Sequence, residues 1–133
     1  MVHHVAIEVR PADVERMVEL FELLGFKQVD PPPSLAEFTW LERGGTQVHL
    51  LPTEPPTVPP TGHVAVTLSN SHSRADSDQT RALDFDEVVA RMRAAGFEVE
   101  RRGEHWGSPR AKVTAPGGHT VEVMGSPPDR TVD

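Results

Sequence analysis

The chain has 133 residues, a formal net charge of -7, 37% hydrophobic residues, and neither cysteine nor tyrosine. This length suits one domain or two small fused units. The absence of cysteine and tyrosine excludes disulfides, thiolate metal sites, a cysteine nucleophile and a tyrosine general acid. The acidic charge disfavours nucleic acid as a partner, and no apolar run is long enough to predict a membrane span. We therefore expect a soluble, cytoplasmic protein.

The first part of the chain alternates between strand and helix patterns. "HVAIEV" (His4–Val9) alternates polar and apolar residues, which is typical of a half-buried strand. Residues 13–26 place apolar side chains on one helical face, with Asp13 as a candidate N-cap and Gly25 at the C-terminal end. Strands are predicted over residues 27–29, 36–43 and 46–52, with a glycine hairpin turn between the last two. The order is β-α-β-β-β.

The second part of the chain repeats this order. "HVAVTL" (residues 63–68) matches the first strand, residues 84–97 match the helix with Asp84 as N-cap, and "GGHTVEV" (residues 117–123) matches the last hairpin strand. Strands are also predicted over residues 98–101 and 109–115. The resulting division is a first module over residues 1–53, a proline-rich linker over 54–61 and a second module over 62–125. The second module carries a polar insertion at 69–82, and a flexible tail follows at 126–133.

Four polar side chains share the predicted sheet face that the helices leave free. Strand side chains alternate between faces, so when the Val and Ile residues turn toward the helices, the opposite face receives His4, His49, His63 and Glu122. His4 matches His63 in the repeat, and His49 matches Glu122. A single strand histidine or glutamate is usually a solvated surface residue. Two repeat-related pairs around a pseudo-two-fold axis instead favour a divalent transition-metal site.

Other residues are candidates for binding a substrate. Arg110, in "EHWGSPRAKV" (residues 104–113), could hold a carboxylate or phosphate with its planar fork, or be a surface arginine on an edge strand. Trp106 is a candidate for the pocket rim. Gln47 shares the face of His49 and either replaces it as a ligand or lines the pocket. Trp40 either lines the cavity or packs under a helix, and we expect surface or turn positions for His3, His72 and His119.

These motifs together resemble the vicinal-oxygen-chelate superfamily, which includes glyoxalases, bleomycin-resistance proteins and extradiol dioxygenases. The resemblance covers about residues 2–124 and is carried by "HHVAIEV", "LLGFKQV", "TQVHLLP", "GHVAVTL", "AAGFEVE" and "APGGHTVEVM". It implies an α+β fold of two tandem βαβββ modules, whose mixed sheets form an incomplete barrel around a metal-binding cleft with the helices outside. It places the metal ligands at His4, His49, His63 and Glu122.

The resemblance also implies a class of activity. It suggests a lyase or isomerase that uses Ni, Zn, Mn, Co or Fe on a small oxygen-chelating substrate, with Glu122 as the base, in a homodimer. A metal-dependent transferase or dioxygenase, or a protein that binds a drug-like small molecule, is the alternative. Glyoxalase I-like relatives usually carry a glutamate where this chain has His49, so only one carboxylate stands among the expected ligands.

Overall fold

The computed structural model describes residues 1–68 and 82–125, which contain two helices and eight strands. The first module consists of β1 (His4–Val9), α1 (Val14–Leu23), β2 (Lys27–Val29), β3 (Thr39–Arg43) and β4 (Thr46–Pro52). The second consists of β5 (Val64–Thr67), α2 (Phe85–Ala94), β6 (Glu98–His105), β7 (Ser108–Thr114) and β8 (Thr120–Met124). Both modules therefore have the predicted β-α-β-β-β order.

Each module forms its own mixed four-stranded sheet. The strand orders are β1-β4-β3-β2 and β5-β8-β7-β6. In both sheets the first strand pairs in parallel with the last, and the remaining neighbours are antiparallel. Among the described residues no ladder joins one sheet to the other, so the strands do not close into a barrel. The predicted α+β class is confirmed.

The two helices and the inner faces of both sheets share one hydrophobic core. Helix α1 buries Met17 and Phe21 completely, and α2 buries Met92 at the position equivalent to Phe21. Along β1, Ile7 is buried whereas its neighbour Ala6 is exposed. This alternation confirms that the aliphatic face of the strand turns inward, where burial of apolar surface stabilises the fold.

The ends of the two helices differ in one respect from the sequence prediction. The Asp84 side chain accepts a hydrogen bond from the Glu87 backbone amide at 2.8 Å, so the predicted N-cap of α2 is confirmed. Asp13 makes no such bond, because it already has helical dihedral angles at the end of a 3₁₀ turn, and its prediction as a capping side chain is wrong. Gly25 and Gly96 both have φ near +90°, the left-handed conformation expected after each helix.

Several side chains tie the modules together, among them Arg16 and His119. Arg16 on α1 donates to the carbonyl oxygen of Ala95 at 2.7 Å, and its guanidinium lies 3.7 Å from the ring centre of Phe97. His119, which the sequence places at the surface or in a turn, is buried, and its Nε2 donates to the carbonyl oxygen of Glu8 at 2.7 Å. Helix α1 and strand β1 are thus held against the second module by directed hydrogen bonds.

The proposed chain division is only partly visible. The first four strands lie within residues 1–53 and the last four within residues 62–125. The predicted polar insertion lies outside the described residues except for Ala82, and the predicted tail lies outside them entirely. Within the described ranges, neither helix has the length and apolar composition needed to cross a bilayer.

Candidate functional site

The candidate site occupies the sheet faces that the helices leave uncovered. His4 and His63, at equivalent positions in the repeat, are both exposed on these faces. Ala6 and Ala65, two residues further along each chain segment, are exposed as well. A row of exposed small and polar side chains leaves space for a ligand or another protein surface in front of both sheets.

In the second module, His63 and Glu122 meet directly. His63 Nε2 lies 3.0 Å from Glu122 Oε2, and His63 Nδ1 donates to the Thr61 carbonyl oxygen at 3.0 Å. The hydrogen bond to Thr61 and then the hydrogen bond to Glu122 raise the pKa of His63, because both favour the protonated ring. The Thr61 bond also fixes the ring orientation, so Nε2 is the nitrogen that faces the carboxylate.

Glu122 is held on its other side by Arg110. Arg110 Nη1 donates to Glu122 Oε1 at 2.9 Å, and Arg110 Nε donates to the Gly103 carbonyl oxygen at 2.8 Å. Both side chains are largely buried, with 18% and 15% exposure for Arg110 and Glu122. The hydrogen bond from Arg110 is the main cause that lowers the pKa of Glu122, so this carboxyl group is ionised at neutral pH.

In the first module, the equivalent face carries a stack of three rings. The His49 ring lies between Trp40 at 3.8 Å and His4 at 4.2 Å, measured between ring centres, and both pairs are nearly parallel. His49 is consequently buried, and this burial, followed by the positive potential of His4 and His3, lowers its pKa. Trp40 thus lines the open face, which resolves the choice that the sequence left open.

Gln47 positions the His49 ring. His49 Nε2 lies 2.8 Å from Gln47 Oε1, and Gln47 Nε2 donates to Glu42 at 3.1 Å. Since an amide oxygen can only accept, His49 carries its proton on Nε2 in this arrangement. The Trp40 Nε1 group is buried without a hydrogen-bond partner among the described residues.

The four predicted metal ligands therefore form two separate pairs in one chain. His63 contacts Glu122, and His4 stacks on His49. Within residues 1–68 and 82–125, no group of three or more His, Asp or Glu side chains is arranged to hold a metal ion. Each pair has the donor chemistry that a transition metal prefers, but a single copy of the chain does not assemble the full set.

The predicted substrate-binding residues are distributed over both modules. Arg110 lies on β7, between β6 and β8, so the interpretation as an edge-strand arginine is wrong. Gln47 contacts His49 through a hydrogen bond. Trp106 is 76% exposed at the tip of the β6–β7 hairpin, with φ of +52°. Lys112 and Arg102 were not predicted as site residues from the sequence. Both alternate with the inward-facing residues of their strands, and this pattern could have indicated that they lie on the open face.

The fold defines a class of protein, namely two βαβββ modules, each with one sheet face that the helices leave uncovered. The family model described as the Glyoxalase/Bleomycin resistance protein/Dioxygenase superfamily matches residues 1–123. The chain belongs to this superfamily, and the predicted family resemblance is confirmed. A comparison with curated protein sequences finds no match.

Solved structures share the fold at low sequence identity. The chain is similar to lactoylglutathione lyase from Agrobacterium tumefaciens, with 16% identity, a TM-score of 0.65 and coverage of 95% of this chain and 93% of the other. It is similar to the fosfomycin resistance protein FosX from Listeria monocytogenes, with 14% identity, a TM-score of 0.66 and coverage of 95% and 93%. It is also similar to a protein from Bacillus cereus described as a possible glyoxalase, with 23% identity, a TM-score of 0.60 and coverage of 93% and 97%.

Proposed function

We propose that the protein is a cytoplasmic homodimer with a metal-dependent lyase or isomerase activity on a small oxygen-chelating substrate. In this proposal a divalent ion, Ni, Zn, Mn, Co or Fe, is held by His4 and His49 of one copy together with His63 and Glu122 of a second copy. Membership of the superfamily supports the general class, and the arrangement of the two residue pairs supports this division of ligands.

The observation that carries the proposal is the hydrogen bond between His63 Nδ1 and the Thr61 carbonyl oxygen, at 3.0 Å. Histidines that bind metals usually donate their second ring N–H to a carbonyl or carboxylate, which fixes the tautomer and orients the free nitrogen. His63 has this arrangement, and its Nε2 lies beside a Glu122 carboxylate that is already ionised. The two candidate donor atoms, His63 Nε2 and Glu122 Oε2, lie 3.0 Å apart.

A second copy is proposed because a single chain does not bring the two pairs of ligands together. The cavity that contains His63 and Glu122 is lined by neither His4 nor His49. His4 and His63 are both exposed on open sheet faces, so each remains accessible to a partner surface. A two-fold dimer would place the first-module pair of each copy against the second-module pair of the other and form two equivalent sites.

The metal would supply Lewis acidity to the oxygens of a chelating substrate. The chain's own groups would then orient the substrate and move a proton. Glu122 is the proposed base, and its hydrogen bond from Arg110 keeps it ionised but also weakens it as a proton acceptor. We expect the substrate to compete for the Arg110 guanidinium when it binds, which would weaken its hydrogen bond to Glu122. Gln47 would hold the His49 ring, and Trp106 would lie at the rim.

Subunit complementation tests the division of ligands between copies. His4→Ala and His63→Ala should each lose the metal, measured by elemental analysis of natively purified protein. If the two variants are co-expressed with different tags, a heterodimer contains one intact site, built from the unmodified halves. We expect such heterodimers to recover about half of the wild-type metal content. His105→Ala, which changes an exposed hairpin histidine, is the matched control and should retain all of it.

Three results would overturn the proposal. Unchanged metal content in His63→Ala would remove the site, and heterodimers as empty as their parents would place all four ligands within one chain. A monomer at working concentration by sedimentation would also exclude a shared site.

A different function is favoured by the contacts that already occupy the His49 ring. Its ring is buried between two others, and its Nε2 is bonded to Gln47. The Trp40–His49–His4 stack would suit a flat small molecule in a metal-free binding protein, which is the second candidate. Metal-dependent thermal stabilisation separates the two, because a bound ion at about 100-fold excess over its Kd adds about 2.7 kcal/mol. No shift with any of the five ions would favour the binding protein.

A further inference from the structure

The open face of the second module contains a cavity of about 400 Å³ whose charge is opposite to that of the whole chain. Its lining includes Arg102, Arg110, Lys112, His63 and Glu122. Three permanent cations thus face one carboxylate, in a protein whose formal net charge is -7. A cavity of this size accommodates a small organic molecule. We propose that it binds an oxyanion group of the ligand, a carboxylate, phosphate or phosphonate, through Arg102, Arg110 and Lys112.

Strand register explains why these cations stand together. Arg102 on β6 is the cross-strand partner of Arg110 on β7. Lys112 on β7 has a carboxylate as its partner on each side, Glu100 on β6 and Glu122 on β8. Because side chains alternate along a strand, Arg110 and Lys112 lie on the same face. Like charges directly opposite each other in an antiparallel pair are destabilising. An anion between Arg102 and Arg110 would remove that repulsion.

The cations also retain donors for a ligand. Arg110 uses Nε for Gly103 and Nη1 for Glu122, which fixes its plane and leaves Nη2 without a partner among the described residues. Lys112 is half-buried, and its ammonium group has no hydrogen bond or ion pair within the described part of the chain. Arg102 has only a loose contact with Glu100, at 3.8 Å. An oxyanion accepts from such donors with strong, charge-assisted hydrogen bonds, which a cationic ligand cannot form here.

The first module offers an internal comparison. Trp40 pairs across the strands with His49, just as Lys112 pairs with Glu122, and His49 and Glu122 are equivalent in the repeat. The position that carries an aromatic ring in one module therefore carries a cation in the other. We infer that the charge is placed for a ligand, and that the ligand is an anion.

The inference identifies an anionic group on the substrate of the site proposed above. Only the statement that the anion is part of the substrate rests on the proposed function. The experiment uses the full chain, freed of metal with a chelator, and follows backbone amides by NMR during titration with inorganic phosphate and, separately, with acetate. We expect saturable shifts centred on residues 110–112 and 122 for at least one of the two anions. The comparison between the two distinguishes a phosphate-like ligand from a carboxylate.

Matched variants decide the outcome. Lys112→Gln should weaken anion binding about tenfold, the effect of losing a charged hydrogen bond. Lys27→Gln, which changes the only other lysine, an exposed residue on β2, should leave binding unchanged. Arg102→Gln changes an exposed residue of the same cavity and should also weaken anion binding. It provides a second test if Lys112→Gln perturbs folding. Shifts that do not saturate, or equal weakening by Lys27→Gln and Lys112→Gln, would overturn the inference.

The inference and the proposed function fail separately. Lys112 is not a proposed metal ligand, so Lys112→Gln should keep the wild-type metal content. Normal metal content with no effect of Lys112→Gln or Arg102→Gln on anion binding would overturn the anion site alone. Specific anion binding by a protein that never takes up metal would support the anion site and overturn the metal proposal.

Discussion

The two modules have the same backbone order but different open faces. In the first, His49 is sandwiched between the rings of Trp40 and His4. In the second, the equivalent Glu122 is held between Arg110 and His63. The inner faces are alike, since both bury aliphatic strand residues against a helix.

This difference shows which part of the module is constrained by folding. A one-residue shift of register would turn the aliphatic side chains outward, so the inner face must keep its alternating pattern. The outer face has no such requirement, because its side chains contact solvent, a ligand or a partner. It can become aromatic in one copy and charged in the other without changing the fold.

The largest expected effect tests whether the two modules fold as one unit. Phe21→Ala should lower the free energy of unfolding by about 3–5 kcal/mol and Met92→Ala by about 2–5 kcal/mol, because both remove fully buried side chains. Since both residues belong to one core, each variant should show a single transition.

Tryptophan fluorescence provides the measurement. The chain has two tryptophans, Trp40 in the first module and Trp106 in the second, so Trp106→Phe and Trp40→Phe backgrounds report each module by itself. Phe21→Ala should move both transitions together in denaturant. A shift seen only by Trp40 would show that the modules unfold independently.

The next effect concerns a contact that only one module provides. Arg16 caps the C-terminal end of α2 through Ala95, whereas Glu87, at the equivalent position of α2, accepts from Arg91 in its own helix.

Arg16→Gln should cost about 1–3 kcal/mol in denaturant unfolding, because a part-buried charged hydrogen bond and the contact with Phe97 are lost. Glu19→Gln removes only the exposed pair with Arg16 and should cost less than about 1 kcal/mol. Equal losses would show that the contact between modules contributes nothing.

A smaller effect distinguishes the starts of the two helices. Asp84→Ala should lower stability by about 1 kcal/mol, because it removes the bond to the Glu87 amide. Asp13→Ala should have little effect, since Asp13 makes no capping bond. Urea denaturation of the two variants provides the comparison. A larger loss for Asp13→Ala would contradict the assigned caps.

The smallest effect on stability concerns pH. In metal-free protein, Glu122→Gln should lower the pKa of His63 toward its usual value, though not fully, because the Thr61 hydrogen bond remains. A raised pKa in the folded state stabilises the protein below the pKa of the unfolded chain, and this contribution is lost as pH rises through the folded pKa. The difference in free energy of unfolding between the wild type and Glu122→Gln that depends on His63 should therefore decrease as the pH rises above about 6.5.

NMR titration of the His63 ring measures this pKa directly. Glu104→Gln, which removes an exposed carboxylate on β6, serves as the control and should leave the His63 titration unchanged. If Glu122→Gln leaves the His63 titration where it is in the wild type, the contact between the two side chains does not persist in solution.

Much of the fold could be predicted from the sequence because its signals are local. The repeat, the helical periodicity after Asp13 and Asp84, and the alternation in "HVAIEV" each depend on neighbouring residues. The glycine conformations at Gly25 and Gly96 follow from the same local rules. The Asp13 cap was the exception, since the 3₁₀ turn that begins at Pro11 brings Asp13 into helical dihedral angles before α1 starts.

The candidate site could be predicted only as a set of positions. Alternation alone determined that His4, His49, His63 and Glu122 lie on the faces away from the helices, since a strand side chain points opposite to its neighbour. It could not determine which side chains contact one another, because that depends on register and strand order. Only the tertiary structure decided that Trp40 covers His49 and that Arg110 holds Glu122. It also decided that Lys112 and Arg102 line one cavity with Arg110 and Glu122, because the order and register of β6, β7 and β8 bring these side chains together.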